Sequence, residues 1–177
     1  MIILGIDPGD EESAWATYDT ETKKPLRTCK ESNSVLLKRM CEHSADAEAG
    51  FGAAVNHMAV EMIASYGMPV GESVFNTCVW IGRFIQAWVE HGALHRGCSY
   101  EQLVRKDVKM LLCGSTKAKD SNIRQAIMDR YGSTRERAIG KKKTPGPLYG
   151  ISKDMWAALG VAITAHEMER DEDDPIG

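Results

Sequence analysis

Three carboxylates stand where apolar runs of this chain end or break. Asp7 closes the strand-like opening Met-Ile-Ile-Leu-Gly-Ile-Asp-Pro-Gly, Glu61 interrupts Met-Ala-Val-Glu-Met-Ile, and Asp154 leads into a stretch rich in Ala and Leu. A carboxylate at the end of a buried strand is costly unless a cation faces it, either a Lys or Arg partner or a divalent metal. Two strand carboxylates and one from a helix start can converge on hard, oxygen-preferring ions such as Mg²⁺ or Mn²⁺. Two such ions about 3.5–4 Å apart would activate water and stabilise the leaving oxygen of a phosphodiester. Taken singly, the residues have plainer readings: a salt bridge for Glu61, and for Asp154 a carboxylate that suits the dipole of a helix N-terminus.

The elements that must position these residues follow from periodicity and breakers. Residues 1–7, 14–19 and 25–29 read as strands, with a turn-rich link at 8–13. Residues 34–43 and 45–53 read as helical, 57–63 as a strand carrying Glu61, and 67–71 as a loop. Ser73 is expected to cap a strongly apolar helix at 74–91, which holds Phe75, Trp80, Phe84 and Trp88. A strand at 100–104 and helices at 105–112 and 120–131 follow, then a segment at 140–150 whose Pro and Gly exclude regular structure. Ser152 is expected to cap the last helix, 153–169, with Asp154 in its first turn. Early strands followed by mixed helices and strands indicate an α/β domain.

With 177 residues, 43% of them hydrophobic and 27% charged, the chain suits one globular domain over residues 1–170 and a short acidic tail at 171–177. No apolar run nears the roughly 20 residues of a membrane span, and no secretory signal opens the chain. Five scattered cysteines without a CxxC spacing argue against a zinc site or a disulfide framework and fit a reducing, cytoplasmic setting. The net charge of −3 hides an asymmetry: residues 105–143 hold twelve Lys and Arg against four Asp and Glu, a local +8 that leaves −11 elsewhere. Such a segment is either a polyanion-binding face or a merely solvated helix surface.

Several segments, in order, resemble the RuvC-type Holliday junction resolvases of the RNase H-like superfamily. Ile-Leu-Gly-Ile-Asp-Pro-Gly at 3–9 is similar to the opening of that family, and Met-Ala-Val-Glu at 58–61 to its strand with a catalytic glutamate. Val108-Lys109, with Gly114, Ala118 and the helix around Ile123, resembles its segment with a DNA-contacting lysine; Ala158-Leu-Gly-Val-Ala-Ile-Thr-Ala-His166 resembles its last helix. The first motif alone also opens sugar kinases and actin-like ATPases, whereas the ordered set, spanning residues 1–166, is far more specific. Chain length and the Lys-rich loop are more like those of a phage or bacterial relative.

The resemblance implies an RNase H-like fold, with a mixed sheet of about five strands flanked by helices. It implies Asp7, Glu61 and Asp154 as catalytic metal ligands for Mg²⁺, with Mn²⁺ as a substitute, and Lys109 as a catalytic basic residue near the scissile phosphate. A metal-activated water would then cut the phosphodiester in line, leaving 5′-phosphate and 3′-hydroxyl ends. Two departures stand out. Ala157 occupies the place of the family's second acidic residue on the last helix, so Asp10, Glu11 or Glu12 could complete the ligand set, or a water could hold the empty position. Asp120 occupies the place of a second lysine, with Lys117 and Lys119 close by.

A four-way junction presents phosphates about a two-fold centre, which suits a homodimer paired through the helix at 74–91. Lys106, Lys109, Lys117, Lys119, Arg124, Lys141, Lys142 and Lys143 are the expected DNA contacts, with the Lys141–Lys143 loop ordering on DNA. Tyr66 and Met68 are candidate wedges into an opened junction. Branched DNA is thus the expected partner of a cytoplasmic endonuclease in a bacterial or phage-infected cell. A catalytically weak junction-binding accessory protein is the alternative, and an actin- or kinase-like nucleotide-binding domain is a more distant one.

Overall fold

The computed structural model describes residues 1–45, 50–52, 54–65, 67, 69–90 and 98–173. The apolar opening forms β1 (Ile2–Asp7), whose run of side chains without a polar member before Asp7 suits a strand covered on both faces. β2 (Glu12–Asp19) and β3 (Lys24–Ser32) continue from it as an antiparallel meander. β4 (His57–Met62) lies parallel to β1 on the other side, and β5 (Ser99–Val104) parallel to β4. The mixed five-stranded sheet therefore has the order β3-β2-β1-β4-β5, with β1 central.

The helices are α1 (Asn33–Ala45), α2 (Glu72–Trp88), α3 (Arg105–Cys113), α4 (Asp120–Asp129), the short α5 (Arg135–Ala138) and α6 (Met155–Asp173). Strand alternation divides the core between the two faces of the sheet. Leu4, Ile6, Trp15, Met58 and Val60 pack with Leu36 and Met40 of α1 and Ile81, Phe84 and Trp88 of α2. Ile3, Ala14, Ala16, Ala59 and Leu103 pack on the opposite face with α6, Val108 and Leu112 of α3, and Ile123 and Ile127 of α4.

Strand and helix backbones meet in this second layer at Gly5. A Cβ there would collide with the Ala158 carbonyl oxygen and lie 2.7 Å from the Ala162 nitrogen. The α6 backbone thus rests on the β1 backbone, and the small residues Ala158 and Ala162 at the contact make this possible. That contact sets how far the start of α6 stands above the end of β1.

Four local expectations are corrected. The Ser73 side chain does not cap α2: the N-cap is Gly71, and the Ser73 carbonyl accepts a bond from Thr77 Oγ1 at 2.8 Å. The segment 140–150 contains a small antiparallel ribbon, β6 (Gly140–Lys141) with β7 (Thr144–Pro145), so the lysine run forms a hairpin. Gly140 makes it possible by taking φ 71°, while Pro145 sits on a two-stranded edge that needs no inner ladder bond. The second helical stretch does not form over 50–52, a turn that instead seats Phe51 edge-on against Trp15 at 5.2 Å. Finally, α6 begins at Met155, so Asp154 precedes the first turn and Ser152 stands further out.

Gly5→Ala is expected to destabilise the chain by about 2 kcal/mol or more, because neither the strand nor the helix backbone can yield cheaply. Urea unfolding monitored through the tryptophans checks this; an unchanged midpoint would show that α6 can lift off β1 without cost.

Candidate active site

Sheet register brings the first two carboxylates together. Ile6 lies beside Val60 on the parallel strands β1 and β4, so the next step sets Asp7 beside Glu61. Ile6 and Val60 face α1 and α2, and alternation therefore turns Asp7 and Glu61 toward α6. The same row extends outward: Asp7 opposes Ala14, Ala14 opposes Lys30, and Glu61 lies beside Leu103. Lys30, Asp7 and Glu61 thus share one edge and one face of the sheet.

Asp154 joins them from the other layer. Its carbonyl accepts the Ala157 and Ala158 amides at 2.9 and 3.1 Å, so it performs the backbone part of a helix cap. Its Oδ2 takes the Lys30 ammonium at 2.7 Å, and the same ammonium lies 3.6 Å from Glu12 Oε2. Asp7, Asp10, Glu12, Lys30 and Asp154 line one cleft of about 300 Å³. The acidic loop at its rim is held by a buried polar link. Gly9 N–H donates to Ser13 Oγ, Ser13 Oγ–H donates to Asn33 Oδ1, and Asn33 Nδ2 donates to the Gly9 carbonyl, at 3.2, 2.6 and 2.9 Å.

Glu61 has its own counter-ion. Arg105, the first residue of α3, donates from Nη1 to Glu61 Oε2 at 2.9 Å and from Nη2 to Asp120 Oδ1 at 2.6 Å. Asp120, at the lysine position of the resemblance, therefore pins the arginine that pairs with Glu61. Burial pushes the Glu61 carboxyl above its ordinary range against the pull of Arg105. Asp7 differs: its side chain has no hydrogen bond or ion pair among the described residues. Burial first, and the negative charge of Glu61 second, push it up to about 7, with Arg105 pulling the other way.

The remaining expected residues fall into separate places. Lys109 acts on Glu61 through its charge and lines, with Arg105, Lys106 and Thr116, an adjoining groove of about 330 Å³. Lys117 and Lys119 are exposed just before α4, and Lys141, Lys142 and Lys143 are exposed at the β6–β7 hairpin, without ion pairs among the described residues. Arg124 stacks over Trp156 at 5.0 Å. Ala157 is buried and bears no carboxylate, so that position adds no ligand beside Asp154. Tyr66 and Met68 lie outside the described residues, as does the end of the segment expected to extend α2 to residue 91.

Among the described residues no three His, Cys, Asp or Glu side chains form a ready-made metal group. The three carboxylates meet in one region, but two of them are engaged by Arg105 and Lys30. The donor set nonetheless fits a hard divalent cation, because Asp7 is a half-buried carboxyl without a cation beside a second carboxylate. Sequence reasoning missed Lys30 and Arg105. Strand parity could have found Lys30, sixteen residues beyond its opposite number Ala14. Nothing in the local sequence marks Arg105 as the partner of Glu61.

No family model and no curated protein sequence matches this chain. Among solved structures it is similar to Thermus thermophilus RuvC, with a TM-score of 0.66 at 18% identity over 96% of each chain. It is similar also to T. thermophilus RuvC in complex with Holliday junction substrate, with a TM-score of 0.59 at 16% identity over 96% of each chain. The expected RNase H-like fold, a mixed five-stranded sheet flanked by helices, is borne out.

Asp7 holds its proton more tightly in the folded than in the unfolded chain. Without metal, its ionisation therefore lowers stability as pH rises from about 4 to about 7 and leaves it level above that. Asp7→Asn removes this slope and is expected to be more stable than the wild type at pH 8 by about 1–3 kcal/mol. Urea unfolding in chelator across that range measures it; identical slopes in both chains would refute the assignment.

Proposed function

We propose that this chain, with the fold of RuvC, is a divalent-metal-dependent endonuclease that cuts branched DNA, four-way junctions above all. One observation carries the reading: Asp7 and Glu61 lie side by side near the ends of neighbouring parallel strands, on the face where Asp154 stands just before α6. The T. thermophilus RuvC complex holds a Holliday junction substrate on the same fold, which supports a branched substrate here.

Asp7, Glu61 and Asp154 would hold Mg²⁺, or Mn²⁺ in its place, with the Asp10–Glu12 loop close enough to supply a further oxygen. Bound there, the ion supplies an activated water and positive charge for the leaving oxygen. The ion's positive charge would offset the cost of ionising Asp7 where it lies buried beside Glu61. Arg105, released from Glu61, and Lys109 beside it would neutralise the phosphate being cut. Lys106, Lys117, Lys119, Arg124 and Lys141–Lys143 would contact backbone phosphates without reading sequence. Phe75 and Val79, 60% and 61% exposed on the α2 face away from the core, would pair two copies so that opposed strands are cut together.

A second reading is favoured by Ala157 together with the ion pairs on Glu61 and Asp154: a junction-binding protein that cuts poorly or not at all. Under it, wild-type chain binds four-way DNA and cuts it in neither metal, and Ala157→Asp gains cutting.

Synthetic four-way, flap and linear DNA in Mg²⁺ and Mn²⁺ decide between the two. Asp7→Asn is expected to lose cleavage by about a hundredfold or more while binding junctions within about twofold of wild type. Full cleavage by that variant overturns the site. Lys30→Ala, which frees Asp154, is expected to tighten Mn²⁺ binding without DNA about two- to fivefold, the scale of an exposed ion pair. Calorimetry reads this, and unchanged affinity would place Asp154 outside the metal set.

A further inference from the structure

Arg105 and Lys30 are spent on carboxylates; three other cations line a groove and have no ion pair among the described residues. Arg124, Arg135 and Lys153 border an open groove of about 490 Å³ between the start of α4, the start of α5 and the approach to α6. Their side chains make no ion pair or hydrogen bond among the described residues. The one carboxylate in the lining, Asp120, already accepts Arg105 Nη2 at 2.6 Å. Three uncompensated charges in one concavity repel one another, a cost that an anion would remove.

The groove is also built rather than merely charged. The Arg124 guanidinium is held 5.0 Å over the ring of Trp156, and its Nε is buried without a hydrogen-bond partner. Stacking of this kind fixes the plane of the fork, which then matches two oxygens of a phosphate. Because Trp156 is buried and Arg124 covers its ring, the groove offers no free aromatic face for a nucleobase. Lys153 stands at φ 48°, directly before Asp154, and Ser121 adds a hydroxyl in the first turn of α4. The ligand chemistry is therefore an oxyanion, not a base.

Two connections tie the groove to the cleft. Lys153 is the chain neighbour of Asp154, and Asp120 is linked through Arg105 to Glu61. These links put the cationic groove next to the carboxylates, within the path open to a strand whose phosphate lies over Asp7 and Glu61. We propose that Arg124, Arg135 and Lys153 form a phosphate subsite that takes a neighbouring backbone phosphodiester of the strand being cut. The subsite rests on the branched-DNA endonuclease reading above and adds to it a second, fixed grip on the same strand. That grip sets which phosphate lies over the carboxylates.

The test replaces single phosphates of a four-way junction by neutral methylphosphonates, one at a time along the cut strand, with binding measured in Ca²⁺. Wild-type chain is expected to lose about tenfold in affinity at one or two phosphates close to the cut, the scale of a charge-assisted contact. Arg135→Ala and Lys153→Ala, both exposed positions that leave the core intact, and Arg124→Gln should lose a similar factor on unmodified DNA. In these variants the neutral phosphate at that position should cost nothing more. Junction binding that is insensitive to every such phosphate, or losses in variant and DNA that simply multiply, overturns the subsite and leaves the endonuclease reading standing. A wild-type chain that binds no branched DNA overturns both.

Discussion

The backbone of the last helix touches the backbone of the central strand at Gly5, and the approach of Asp154 to the sheet carboxylates depends on that contact. A side chain at residue 5 would meet the Ala158 carbonyl, so β1 and α6 approach as only glycine allows. Small residues on the helix side, Ala158 and Ala162, complete the fit. Four residues before Ala158 stands Asp154, whose carbonyl opens the helix and whose side chain hangs over the sheet edge. Two residues after Gly5 stands Asp7. One packing contact therefore brings the end of a strand and the start of a helix over each other, though 147 positions separate the two aspartates in sequence.

The placement creates an electrostatic problem that the chain answers unevenly. Glu61 is offset by Arg105, half-buried and fixed on its far side by Asp120. Asp154 is offset by Lys30 in a more exposed pair, of the kind that contributes little and exchanges easily. Asp7 has no ion pair among the described residues; burial and the charge of Glu61 raise its pKa, and Arg105 offsets them only in part. The three carboxylates thus form a gradient, from firmly paired Glu61 through loosely paired Asp154 to Asp7. Beside Glu61, Arg105 and Lys109 of α3 bring the nearest cations of the basic segment to this acidic cleft.

Local pattern was enough to place most elements. Alternation and apolar runs marked all five strands of the sheet, and Asp7 and Glu61 were visible as carboxylates that break such runs. The misreadings share a cause. Ser73 and Ser152 looked like caps because Ser is a good capping residue, but the turns before α2 and α6 set the helix starts elsewhere. Pro and Gly at 140–150 looked like an end to regular structure. A two-residue ribbon at a free edge, with Gly140 in the left-handed region, asks less of its residues than an inner strand does.

Residue types and their order thus determined the α/β class, the two strand carboxylates and the charge contrast between a basic middle and an acidic remainder. All of these are properties of short windows, because strand alternation and burial act within a few residues. Only the tertiary structure decided which cation faces which carboxylate: Arg105 on Glu61, Lys30 on Asp154, and, among the described residues, none paired with Asp7. Strand register, helix approach and the reach of two long side chains decide that pairing, and no window of sequence contains them.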